Sequence, residues 1–120
     1  MNNNQKLIQR NEFKNLLDIN STKYRNAVKY WKGISKEHFL VMSEICFKLV
    51  EDYEMDFYTE AIFNKKGRAD IFAFNHQIAV IIEILNSEKE SNIEKKEEYY
   101  PDLPIIRINV KDFNMEEFKI

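Results

Sequence analysis

The sequence predicts an α/β fold, and three features of its patterning predict it. Apolar residues recur at helical steps in the first half, as Phe39, Met42, Cys46, Leu49, Val50 and Tyr53. From Asp56 the period drops to two. The run IAVIIEIL at 78–85 is nearly all apolar, the mark of a central strand covered on both faces. A charged helical stretch then separates it from PIIRINV, as a crossover to a parallel neighbour requires.

In chain order, 3–17 carries an imperfect apolar stripe (Leu7, Ile8, Phe13, Leu16, Leu17) and is expected to be helical. Asn20, Ser21 and Thr22 are cap candidates for a second helix over 23–32, stopped at Gly33. Tyr24, Ala27, Val28 and Trp31 would form its apolar face, and Lys23, Arg25, Lys29 and Lys32 most of the remainder. Ser35 caps a stronger helix over 36–52, with Glu37, Glu44 and Glu51 recurring on one flank. Strands over 57–63 and 68–74 flank a hairpin loop at 64–67, and alternation puts Asp70 and Phe72 on one face. After a turn at 75–77 comes the strand 78–85, then a helix over 88–100 capped by Ser87 and stopped by Pro101. A strand over 104–110 and a short final helix capped by Asp112 complete the order. The reading divides the chain into a basic helical extension, 1–34, and one compact α/β core, 35–120.

With 120 residues the chain can bury one modest core, filled by nine Phe, six Tyr and many aliphatics. Two Gly and two Pro leave little room for long loops. Cys46, the single cysteine, excludes an internal disulfide and a cysteine metal site, and its place in an apolar stripe makes it a buried thiol. No apolar run can span a bilayer and no signal-like h-region opens the sequence, so a cytoplasmic protein without a membrane partner is expected. Gly33 and Gly67 cannot make a glycine-rich phosphate loop, which excludes P-loop and Rossmann nucleotide cofactors. Charge is segregated: residues 1–36 hold eight Lys/Arg and two Asp/Glu (+6), and 37–120 hold ten and eighteen (−8). A basic end of this kind marks either a nucleic-acid contact or a solvated helix face.

Glu83 is the anomaly, a carboxylate inside an apolar strand that costs on the order of several kcal/mol to bury without a partner. Asp70 precedes it on the neighbouring antiparallel strand, so the two acids converge. They repel one another unless a cation lies between them, and oxygen-only ligation favours Mg²⁺ or Mn²⁺. The alternative is a carboxylate paired with Arg68, two residues from Asp70. His38 and His76 lack metal-ligand spacing and receive no role.

The stretch TEAIF-x₄-RADIF-x₈-IIEIL, with a helix before it and a helix and strand after it, resembles the PD-(D/E)XK nuclease superfamily over about residues 37–110. That resemblance implies a restriction-endonuclease-like core and a metal-dependent endonuclease acting on DNA. It places Asp70 at the superfamily's Asp, Glu83 at the acid of its (D/E)-x-K triplet, and the Ile84 carbonyl as a further metal ligand. Where the triplet has Lys, this chain has Leu85; Lys89, Lys95 and Lys96 on the following helix are the replacements available. Glu60 or Glu44 would be a third acid. Lys23, Arg25, Lys29, Lys32 and Arg68 would neutralise phosphates, and Tyr24, Tyr30 or Trp31 could stack on an unpaired base. Tyr24 and Trp31 also fit the apolar helix face, which assigns those two to core packing. A symmetric homodimer would place two sites on two strands. Leu85 supports the alternative, a catalytically inactive nuclease-like module that binds nucleic acid or protein.

Overall fold

A computed structural model describes residues 1–86 and 90–120. Helix α1 (Asn3–Lys14) and a 3₁₀ turn (Ile19–Thr22) lead to α2 (Lys36–Tyr53). Strands β1 (Asp56–Ile62), β2 (Arg68–Phe74) and β3 (Ala79–Leu85) follow, then α3 (Glu90–Glu97), β4 (Ile105–Asn109) and a 3₁₀ turn (Val110–Asp112). The sheet order is β1-β2-β3-β4. The first three strands form an antiparallel meander, and β4 runs parallel to β3 after the α3 crossover. The fold is therefore α/β with a four-stranded mixed sheet, as the periods require.

Each face of the sheet carries its own core. Met42, Ile45, Cys46 and Leu49 of α2 pack on Phe57, Ile71, Ala73, Val80, Ile82 and Ile84. The opposite layer joins Tyr58, Phe63, Phe72, Phe74 and Ile81 to Leu17 and Tyr100. Ser35 caps α2 by accepting the His38 N–H at 3.1 Å. The Asn75 side chain shapes the β2–β3 turn by accepting the N–H groups of Gln77 and Ile78. The exposed Val50 departs from the expected core stripe of α2, whose inner face uses Val41 and Ile45 instead.

Residues 23–32 are not helical. Asn26 has φ 60°, and its N–H donates to the Phe57 carbonyl at 2.8 Å. The Lys29 N–H donates to Thr59 Oγ1, and that hydroxyl donates to the Ala27 carbonyl, both at 2.9 Å. Edge strands need cover, and pairing with β1 outweighs a 3.6-residue pattern of only one face. Leu16, Leu17 and Asp18 pair with the end of β1 and the residues just after it, including the Asp18 N–H to the Ile62 carbonyl. The predicted helical extension is thus helical only in α1 and the 3₁₀ turn. No final helix forms at Asp112; Asn109 instead caps a single 3₁₀ turn. The Ser87 cap expected for the crossover helix falls on residues 87–89, outside the described residues. Among the described residues no helix is long and apolar enough to cross a membrane.

Candidate functional site

Register brings the acids together. Thr59 pairs with Ile71 and Ala61 with Ala69, which sets Glu60 opposite Asp70. Ile71 pairs with Ile82, so the next rung sets Asp70 opposite Glu83, and Glu83 in turn pairs with Arg107 on β4. Three carboxylates thus lie abreast on three strands.

The sheet is irregular along that row. Glu60 has φ 50°, a left-handed conformation costing a non-glycine residue about 1–2 kcal/mol. Tyr58 and Ala61 share one core layer although three residues apart, and so do Ala69 and Phe72. Side-chain alternation slips at Glu60 and Asp70, whereas β3 keeps its alternation throughout. The expected common face for Asp70 and Phe72 is therefore lost: Phe72 lies in the Tyr100 layer, while Asp70 turns toward α2. Asp70 Oδ2 accepts the Ile84 N–H at 2.8 Å, and Oδ1 lies 3.8 Å from His38 Nε2. Side chains replace ladder bonds between β2 and β3, since the Asp70 N–H also donates to Glu83 Oε1 at 3.3 Å.

Glu83 is 2% exposed. Lys96, from α3, donates to its Oε2 at 2.8 Å, and the Tyr100 hydroxyl lies 2.6 Å from Oε1. That hydroxyl also lies 2.8 Å from the Arg68 carbonyl. Its single proton cannot serve both acceptors fully, and the shorter contact is the one to the Glu83 carboxylate. Burial, then repulsion from Asp70, raises the Glu83 carboxyl above the ordinary range, while Lys96 and Tyr100 pull it back. Glu60 is raised for the same first two reasons. Burial draws the Lys96 ammonium down, but attraction to Glu83, Asp70 and Glu60 outweighs it, so Lys96 is raised and stays charged. Tyr100 is raised by burial and by Glu83.

The end of α3 is fixed from three sides. Tyr100 packs edge-on against Phe63 at 5.6 Å between ring centroids. Glu97 ion-pairs with Arg107 of β4. Gly67 lies so close that a Cβ there would sit 2.8 Å from the Tyr99 carbonyl oxygen.

Of the residues expected from sequence, Asp70, Glu83, Ile84, Glu60, Arg68 and Lys96 come together. Arg68 Nε lies 3.6 Å from Glu60 Oε2, so its ion pair is with Glu60 rather than the Asp70 partnership considered from sequence. Glu44 is exposed on α2, and Lys95, Lys23, Arg25 and Lys32 are exposed as well. Lys89 lies outside the described residues. Lys29 and Arg68 line a cavity of about 420 Å³ with Tyr30, Trp31 and Glu60. Tyr24 and Trp31 are 61% and 38% exposed, which overturns their assignment to the core.

His38 and Tyr100 are the residues that sequence reasoning missed. His38 stands four residues before Met42 and seven before Ile45, so a polar group on the buried stripe of α2 was the available signal. Tyr100, next to a helix-stopping proline, carried no signal in its spacing.

The donor set fits a hard cation in kind. Asp70 and Glu83 offer carboxylate oxygens, and the Ile84 carbonyl projects to the same side of β3 as the N–H that meets Asp70. The buried His38 Nε2 has no hydrogen-bond partner, which adds an orphaned nitrogen donor. Among the described residues, no three His, Cys, Asp or Glu side chains are arranged as a metal-holding group. Compared with protein-family models, with curated proteins and with solved structures, the chain matches none.

Proposed function

We propose that this chain is a metal-dependent endonuclease with a restriction-endonuclease-like core, hydrolysing DNA phosphodiester bonds. One observation carries the reading: α3 delivers the Lys96 ammonium to Glu83 beside Asp70, supplying from a helix the charge that Leu85 removes from the strand. Asp70, Glu83 and the Ile84 carbonyl would hold Mg²⁺ or Mn²⁺, and an imidazole donor at His38 favours Mn²⁺. The bound ion would neutralise a phosphodiester and lower the pKa of its water. Lys96 would then orient the attacking water and stabilise developing negative charge. Glu60 restrains Arg68 at the rim, where the guanidinium can meet a phosphate.

The test is cleavage of single-stranded circular and plasmid DNA with Mn²⁺, Mg²⁺ or EDTA. Asp70→Asn and Lys96→Met should each lower Mn²⁺-dependent cleavage by at least about a hundredfold with circular dichroism unchanged. Cleavage that ignores Asp70→Asn, or that persists in EDTA, rejects the reading.

A second reading rests on Glu83 itself. Lys96, Tyr100 and the Asp70 N–H already engage both of its oxygens, so the network is satisfied without a metal. An inactive nuclease-like binding module would show this arrangement and would give no cleavage with any divalent ion.

A further inference from the structure

The basic segment before α2 carries chemistry that the acidic row does not use. Lys29, Tyr30, Trp31, Glu60 and Arg68 line one open cavity, and Tyr30 is 72% exposed. Exposed aromatics clustered at one cavity mark a surface suited to a ligand. Here the backbone beneath them is fixed, because Ala27 and Lys29 are bonded to Thr59 on β1. The rings are also braced: Tyr30 packs edge-on against Phe39 at 5.9 Å, and Trp31 edge-on against His38 at 5.9 Å. An edge-to-face pair covers at most one face of either ring, so each of these contacts leaves a face free for stacking. Beside them stand two cations, Lys29 and Arg68, the latter with its side chain 65% exposed. The cavity reaches the acidic row at Glu60, and Trp31 reaches it through His38, which lies 3.8 Å from Asp70.

We propose that this cavity binds an unpaired nucleotide, so that the strand entering the acidic row is single-stranded nucleic acid. Tyr30 and Trp31 stack on a base, while Lys29 and Arg68 take the flanking phosphates. Stacking needs a free base face, which a base pair inside a duplex does not offer; a duplex could use only the two cations. DNA and RNA share this chemistry of base and phosphate, and the 2′-hydroxyl separates them. The inference rests on the nuclease reading for the fate of the strand, not for its capture.

Trp31 is the single tryptophan, so its emission reports directly on the cavity. The full chain is titrated in EDTA with oligothymidylate, oligouridylate and a blunt DNA duplex of equal length. One single strand should quench Trp31 and bind at least about tenfold tighter than the duplex. Tyr30→Ala should weaken that binding about tenfold, with circular dichroism unchanged, as expected for an exposed residue. Lys29→Ala and Arg68→Ala should each lower the salt slope by about one ion. The tighter of the two single strands identifies the source. Duplex binding that equals or exceeds both, or binding that leaves Trp31 emission and Tyr30→Ala unaffected, overturns the proposal. EDTA separates the two failures: binding without cleavage in the metal assay rejects only the nuclease reading.

Discussion

Glu60 is held in place against both its backbone and its charge. Its φ of 50° is unfavourable for a side chain with a Cβ, and its carboxyl is raised by burial and by Asp70. A raised folded-state pKa means that the folded protein binds the proton more tightly than the unfolded chain does. The cost of ionised Glu60 is absent below the unfolded value of about 4.5 and is fully present above the higher folded value. Glu60→Gln should therefore stabilise the fold at pH 8 in EDTA, and the gain should vanish as the pH is lowered through 4.5. Losing the Arg68 pair subtracts little, because that guanidinium is mostly exposed. Urea midpoints of the two proteins across that range test this; a gain that grows in acid would contradict the assigned environment. Tolerating such a residue where three acids meet is what a functional constraint on the site would produce.

The element scale turns on how strands and helices end. Glu54 closes α2 in a left-handed conformation, with φ 52° and ψ 43°, and donates its N–H to the Leu49 and Val50 carbonyls. Glycine suits that position, and a carboxylate opposes the helix dipole there. Glu54→Gly should raise stability by about 1 kcal/mol, read as a shifted urea midpoint at constant slope. Gly67 presents the opposite case. Its hydrogen is opposed by the Tyr99 backbone at a distance no Cβ accepts, so Gly67→Ala should cost about 1–3 kcal/mol. It should also move Tyr100 off Glu83, so activity should fall more than stability alone explains. The strands were legible because their period, the 64–67 turn and the apolar β3 all agree, and Asp70 and Glu83 followed from register. The segment 23–32 was not, because its partners are β1 groups some thirty residues away and its helical period was coincidental. Lys96 was one of three lysines that sequence could not rank; the curl of the chain from α3 to Tyr100, pressed on Gly67, aims it.

For the whole molecule, α2 covers one face of the sheet, while the chain before α2 carries Phe13, Leu16 and Leu17 onto the other face and then lines the edge of β1. Two unique side chains report on these parts separately. Cys46 is 1% exposed, and burial pushes its thiol up to about 12, so it remains neutral and shielded at pH 8. Trp31 sits on the edge-covering segment, exposed and packed against His38. That segment is held mainly by hydrogen bonds to Phe57 and Thr59 and buries few apolar groups, whereas Cys46 is released only when α2 leaves the sheet. Segments of this kind open at lower free energy than the core they cover. In rising urea, the change in Trp31 emission should precede the onset of Cys46 labelling by a thiol reagent. An added single-stranded oligonucleotide should move the Trp31 transition toward that of Cys46, because a ligand held by Tyr30, Lys29 and Arg68 stabilises only the docked segment. Coincident transitions without ligand would mean that the edge cover and the core unfold as one unit. The segment would then be as much a part of the fold as β1 itself, and its basic residues would be held in place without any separate docking step.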